Sequence, residues 1–89
     1  MASRSLQVSV VAADHEVWSG AASQIIAKTV EGEIGILAGH EPMLAILATG
    51  EVRVTTTTGE KVTAKADDGF LSVENDTVTV VAGNATLVK

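Results

Sequence analysis

Few residues in this chain have the types and spacing that chemistry requires. The two histidines, His15 and His40, have no second metal donor at a suitable spacing, and cysteine is absent. A zinc site needs three or four converging donors, so neither histidine indicates one. The serines lie outside any G-x-S-x-G motif, and nothing in the sequence supports a Ser–His–carboxylate triad. We therefore predict no catalytic residue and no bound metal.

The glycines and paired acids do not indicate a ligand site either. Gly32, Gly35 and Gly39 lie close together but do not match the G-x-G-x-x-G spacing, and no P-loop Lys-Ser or Lys-Thr follows them. The acids at 67–68 precede a glycine and indicate a turn, because the alternating oxygen donors of an EF-hand are missing. We therefore expect no cofactor.

The composition excludes several function classes. The net charge is −5, and the six basic residues are scattered, so they form no stripe that could neutralise a run of phosphates. Trp18 and Phe70 are the two aromatic residues, which is too few for stacking on bases. A biotinyl or lipoyl carrier would present a lysine at a hairpin tip, whereas the tips here carry Thr58-Gly59 and Asn75-Asp76.

Length and hydropathy favour one folded domain over residues 1–89. The apolar content is 46%, which argues against disorder. No run approaches the roughly 18 apolar residues of a membrane span, and the N-terminus lacks the basic segment and apolar run of a signal peptide. We expect a protein that is made and kept in the cytoplasm.

The elements that must carry any site are strands. Apolar and polar residues alternate with a period of two over 6–12, 52–57, 61–66 and 77–82, a pattern that places one face in a core. The predicted turns are at Asp14-His15, Ser19-Gly20, Glu31-Gly32, Gly39–Pro42, Thr58-Gly59, Asp67–Gly69, Asn75-Asp76 and Gly83-Asn84. Many short strands joined by tight turns indicate a sandwich or a barrel.

Two segments do not follow the simple alternation of apolar and polar residues. Met43–Ala48 contains good helix formers, but Pro42 and Gly50 leave it about two turns at most, so a buried strand is the better prediction. The segment from Glu31 to Leu44 combines glycines, a proline, a histidine and apolar residues. That mixture favours a shaped docking patch, although an ordinary strand with two turns is the alternative.

At this segment the sequence resembles a known family. Residues 32–42, GEIGILAGHEP, resemble the G-E-x-G-I-L-x-x-H-x-P signature of the epsilon subunit of F-type ATP synthases. Three further segments agree in the family's order: VWSG at 17–20, GFLSV at 69–73 and VTVVA at 78–82. The resemblance implies a ten-stranded β-sandwich of two five-stranded sheets. It also implies a non-catalytic subunit of the rotor stalk that binds the gamma subunit, seats on the c ring and couples proton flow to ATP synthesis.

The resemblance implies partner-facing residues and a location as well. The residues that correspond to the c-ring-facing loop are Val30, Glu31, Gly32 and Glu33. The residues that correspond to the gamma-facing surface are Ala12, His40, Met43 and Ala45. The expected location is the cytoplasmic face of the cell membrane, reached through the complex. Family members usually continue into two helices that inhibit hydrolysis or bind ATP, and the sequence ends at Lys89, so neither activity is assigned.

The burial of Phe70 and the presence of a pocket test these expectations. If Phe70 lies in the core, its replacement by alanine should cost about 3–5 kcal/mol. The alternative to the stalk subunit is an unrelated small β-sandwich that binds a ligand or a partner, and it would be distinguished by a concave pocket with converging polar groups.

Overall fold

The fold consists of strands joined by short connections. The computed structural model describes residues 5–12, 15–39 and 41–88. Within them the strands are β1 (Leu6–Val11), β2 (Glu16–Thr29), β3 (Gly32–Leu37), β4 (Met43–Thr56), β5 (Lys61–Glu74) and β6 (Thr77–Val88). The all-β prediction is confirmed, and so is the strand at Met43–Ala48, which forms the first part of β4.

The alternating residues bury one face of each strand. Leu6, Val8 and Val10 of β1 are buried, as are Val78 and Val80 of β6, while their sequence neighbours point outward. Branched aliphatic and alanine side chains supply the whole buried apolar cluster. Such side chains suit a pleated, half-buried surface.

The sheet closes on itself through the first strand. The strand order is β1-β6-β5-β4-β2-β3, and β1 also pairs with β2, so five strands form a ring with β3 attached to β2. β1 runs parallel to β6 and antiparallel to β2. Closure leaves β1 with a hydrogen-bonded neighbour on each side, which removes an exposed edge from the first strand.

The six strands are longer and fewer than the ten that the resemblance implies. β2, β4 and β5 each span 14 residues. The pairing of these long strands is nevertheless interrupted. The β2–β4 register shifts between Ala22 and Gln24 and again between Ala27 and Thr29. The β4–β5 and β5–β6 pairings keep one register throughout but lack pairs between Ile46 and Gly50 and at Asp68.

Three of the predicted turns are wrong because a strand continues through each of them. Ser19-Gly20, Asp67–Gly69 and Gly83-Asn84 all lie inside continuous strands. Asp68 and Gly69 take positive φ values of 51° and 135°. The β5–β6 register is the same on both sides of Asp68, so these turn-forming residues interrupt one pair without ending the strand.

The other turns that can be checked are confirmed. Thr58-Gly59 lies between β4 and β5, and Asn75-Asp76 lies between β5 and β6. Glu31 lies in the turn between β2 and β3, and Gly32 is the first residue of β3, while the predicted Gly39–Pro42 turn falls between β3 and β4. Asp14 and His40 lie outside the described residues, so the turn predicted at Asp14-His15 stays a prediction.

Candidate interaction surfaces

The turn between β2 and β3 is held by one buried hydroxyl. Thr29 is the buried polar residue among those that the structure describes. Its Oγ1 donates a hydrogen bond to the Gly32 carbonyl oxygen at 2.6 Å and accepts one from the Glu31 N–H at 3.2 Å. The Val30 N–H donates to the Ile46 carbonyl oxygen at 3.0 Å, which fixes the turn to β4. The loop that the resemblance assigns to the c ring is therefore an ordered protrusion.

Glu33 projects from this protrusion on the outer face of the sheet. Arg53 Nη2 of β4 donates a hydrogen bond to Glu33 Oε2 at 3.1 Å, across the intervening strand β2. Lys28 is the register partner of Glu33, and its aliphatic stem lies over Gly50, where an added Cβ would come within 2.9 Å of Lys28 Cδ. Because both partners of the ion pair are more than half exposed, the pair contributes little to stability and mainly orients the Glu33 carboxylate.

Of the four residues that the resemblance assigns to the gamma subunit, the structure describes three, and they differ in burial and position. Ala12 is buried, and Met43 is half-buried and packs against the core cluster. Met43 pairs with Val73, next to the β5–β6 hairpin, whereas Ala12 follows Val11, whose partner Val81 lies in the middle of β6. Ala45 is half-buried. His40 lies outside the described residues.

The structure brings together a different set of residues. Ile46, Phe70, Val81 and Val11 are successive register partners across β4, β5, β6 and β1, and they face outward. We call these four residues the apolar row. Ile46 is 56% exposed and Phe70 is 40% exposed, while Val81 and Val11 are half-buried. The exposed residues Leu44 and Val30 adjoin the Ile46 end of the row. An exposed apolar stripe of this kind is a candidate surface for a protein partner.

Sequence reasoning missed the apolar row although a signal for it was present. Leu71 and Val73 are buried, so strict alternation places Phe70 and Ser72 on the outer face. Phe70 is therefore not a core residue, the condition for a cost of about 3–5 kcal/mol is not met, and a smaller loss is expected from its replacement by alanine. The same alternation places Leu44 and Ile46, rather than Met43 and Ala45, on the exposed face of β4.

A shallow cavity joins the two predicted contact regions. It has a volume of about 190 Å³ and lies between the β2–β3 turn and the start of β4. Its lining residues are Thr29, Val30, Glu31, Ile34, Met43, Leu44, Ala45 and Ile46. Residues that the resemblance assigns to the c ring and to gamma therefore lie side by side here, next to the end of the apolar row.

A second, more open cleft of about 440 Å³ lies at the other end of the molecule. Its lining residues are Trp18, Glu60, Lys61, Val62, Leu87 and Val88. Most of its surface is apolar, and the charged side chains at 60–61 are exposed. Over the residues that the structure describes, no three potential ligands come together to hold a metal ion, and no helix could span a membrane.

Known proteins of one family match nearly the whole chain. The model of a family described as the ATP synthase delta/epsilon chain β-sandwich domain matches residues 5–88. The ATP synthase epsilon chain of Micrococcus luteus is 55% identical over 82 residues, which is 92% of this chain and 90% of that relative. The epsilon chain of Rhodococcus jostii is 44% identical over 85 residues, which is 94% of this chain and 70% of that relative.

Solved structures show the same fold. A chain of the Euglena gracilis mitochondrial ATP synthase, in a cryo-EM structure of OSCP, F1 and the c ring, superposes with a TM-score of 0.88 and 27% identity. That match covers 93% of this chain and 53% of the Euglena chain. A chain of the Tetrahymena thermophila central stalk and c ring superposes with a TM-score of 0.76 and 18% identity, over 96% of this chain and 68% of that chain, and shows the shared fold alone. The chain belongs to the ATP synthase delta/epsilon family, within the β-sandwich domain.

Proposed function

We propose that this chain is a non-catalytic subunit of the central stalk of an F-type ATP synthase. In this role it binds the gamma subunit, seats on the c ring and passes torque between proton flow and ATP synthesis without making a chemical bond. Its relatives are named as epsilon chains, and the Euglena neighbour belongs to an assembly with F1 and a c ring. Because the chain belongs to this family, the alternative of an unrelated small β-sandwich no longer applies.

The observation that carries the proposal is the apolar row. Branched and aromatic side chains on four adjacent strands, exposed at Ile46 and Phe70, form an apolar surface whose contact with water is unfavourable until a partner covers it. The polar residues Ser72, Thr79 and Ser9 form the neighbouring row of partners on the same face. An apolar centre with an uncharged polar border is typical of a protein–protein interface. We assign the row to the gamma subunit.

Replacing Ile46 with serine is expected to weaken binding to a purified gamma subunit about tenfold or more, because it removes the most exposed apolar side chain of the apolar row. Titration calorimetry measures the dissociation constant. Leu87→Ser is the matched control, since Leu87 is also an exposed aliphatic residue but lies at the distant cleft. His40→Ala in the same titration tests the residue that the resemblance implies.

The outcomes of this titration separate the parts of the proposal. Saturable one-to-one binding that Ile46→Ser weakens and Leu87→Ser does not would support the gamma-binding surface. Equal affinities for the two serine variants would remove the apolar row from the interface. Absence of binding by the folded, unmodified chain would overturn the stalk function.

The β2–β3 turn is the proposed contact with the c ring. Val30 and Glu31 are exposed at its tip, and Glu33 offers a carboxylate that can pair with a cationic loop of the ring. The Glu33–Arg53 ion pair holds the carboxylate on the outer face, ready for such a partner. Contacts of this type determine orientation more than affinity.

Replacing Glu33 with lysine is expected to weaken seating on a detergent-solubilised c ring severalfold, while the circular-dichroism spectrum and the unfolding midpoint stay close to those of the unmodified chain. The fold should persist because the lost ion pair is exposed and worth at most about 1 kcal/mol. Glu60→Lys makes the same charge change at the opposite end of the molecule. Equal weakening by both variants would indicate a general charge effect instead of a contact at the turn.

The remaining assignments complete the proposed function. The subunit requires no cofactor, and its site is the cytoplasmic face of the cell membrane, reached through its partners. We further propose that the long strands divide at their irregularities into ten segments in two five-stranded layers. Gaps in the pairing support this division, because β5 and β6 form no pair at Asp68 and β4 and β5 form none between Ile46 and Gly50.

A further inference from the structure

The hairpin between β5 and β6 contains an energetically unfavourable residue choice. Its two turn residues, Asn75 and Asp76, have φ values of 51° and 59°. A two-residue hairpin loop with both φ values positive prefers glycine at the second position, since glycine has no Cβ to clash with the backbone. Aspartate tolerates this conformation less well than glycine does. A side-chain contact that glycine cannot make would explain its presence.

The Asp76 side chain makes such a contact with a distant loop. Asp76 Oδ1 accepts a hydrogen bond from the Gly39 N–H at 2.7 Å, across 37 residues of sequence. Gly39 lies in the connection between β3 and β4 and itself has a positive φ of 91°. A carboxylate that accepts a backbone N–H forms a short and comparatively strong hydrogen bond. The Asp76 backbone makes a separate contact, since its carbonyl oxygen accepts the Gln7 N–H at 2.8 Å.

These two contacts respond differently to substitution. The bond from Gln7 uses the backbone of Asp76, so it persists whatever the side chain. The bond from Gly39 uses the carboxylate, so it disappears when the side chain is removed. The hairpin can therefore keep its own structure and its link to β1 while it loses its hold on the β3–β4 connection.

We propose that Asp76 is a positioning residue for the β3–β4 connection, through which it sets the geometry of the surface that meets gamma. The connection carries His40 and leads directly into Met43, Leu44 and Ala45 of β4. This inference rests on the proposed gamma-binding function. It adds Asp76, in the hairpin between β5 and β6, to the residues on which gamma binding depends.

The test compares two glycine substitutions in the same turn. Asp76→Gly and Asn75→Gly each relieve one positive-φ position, but only Asp76→Gly removes the bond to Gly39. Asp76→Gly is expected to keep or raise the urea unfolding midpoint, to speed hydrogen exchange of the Gly39 amide about tenfold, and to weaken gamma binding about three- to tenfold. Asn75→Gly should leave both the exchange rate and the affinity unchanged.

A third variant separates the effect of the hydrogen bond from Gly39 to Asp76 from the effect of the Asp76 negative charge. Asp76→Asn keeps an oxygen acceptor of the same size, so it should retain most of the Gly39 protection and most of the gamma affinity. A merely structural role predicts instead that Asp76→Gly loses stability and affinity together, and that result would overturn the inference.

The failure of the inference is distinguishable from the failure of the proposed function. If the unmodified chain does not bind gamma, the proposed function and the gamma part of the inference are both overturned, while Gly39 exchange still decides whether Asp76 holds the connection. If the unmodified chain binds and Asp76→Gly binds equally well, the inference alone is overturned.

Discussion

Replacing Gly69 with alanine is expected to destabilise the domain by at least about 3 kcal/mol. Gly69 has a φ of 135°, a conformation that residues with a Cβ rarely adopt. An added Cβ would also collide with the Val81 carbonyl oxygen and lie 2.8 Å from the Ala82 Cα. These are backbone atoms of β6, so neither can move aside without opening the β5–β6 pairing.

Urea unfolding followed by circular dichroism measures this loss. Small domains have about 5–15 kcal/mol of stability in total, so the unfolding midpoint should fall by a large fraction. Gly35→Ala is the matched control, because Gly35 also lies in a strand but an added Cβ would meet nothing closer than Ile26 Cγ1 at 4.0 Å. Equal midpoints for the two alanine variants would contradict the close approach of β5 and β6 at Gly69.

Replacing Leu71 with alanine is expected to cost about 2–5 kcal/mol. Leu71 is 0% exposed, and its register partners are Ala45 on β4 and Val80 on β6. Its removal leaves a cavity among alanine and valine side chains, which are too short to fill it. The free energy of unfolding from urea titration measures the loss.

Leu44→Ala is the comparison for Leu71→Ala. The same atoms are deleted on an adjacent strand, but Leu44 is 67% exposed, so a change within about 0.5 kcal/mol is expected. A loss for Leu44→Ala similar to that for Leu71→Ala would show that the outer face of β4 is packed. For the affinity to gamma we expect the opposite order, with the larger loss for Leu44→Ala, because Leu44 adjoins the apolar row.

The strands and their buried faces were predictable from the sequence because a period of two dominates it. Leu6, Val8 and Val10 identified the core face of β1 without any structural knowledge. The hairpins at 58–59 and 75–76 were equally accessible, since glycine, asparagine and aspartate supply the positive φ that tight turns require. Local chemistry and tertiary structure agree at these positions.

The continuity of the long strands and the position of the contact surfaces were less predictable, each for a different physical reason. The 67–69 segment has the composition of a turn, but its pairing partners on β6 continue past it, and only the tertiary register shows that the strand goes on. The apolar row draws one residue from each of four strands, so its existence depends on the register of three separate pairings. The family resemblance pointed to Met43 and Ala45, whereas the fold exposes Leu44 and Ile46.

The parallel pairing of β1 with β6 has a consequence for synthesis on the ribosome. Gln7 pairs with Thr77 and Val11 with Val81, so the first strand has no second neighbour until residues 77–81 have been made. Until then the nascent chain presents Leu6, Val8 and Val10 beside an open edge, where chaperones or aggregation partners can bind. Closing such a long loop makes folding comparatively slow, in the millisecond-to-second range of all-β domains. Translation stalled before residue 77 should therefore yield an unfolded, aggregation-prone chain, and emergence of residues 77–88 should trigger cooperative folding.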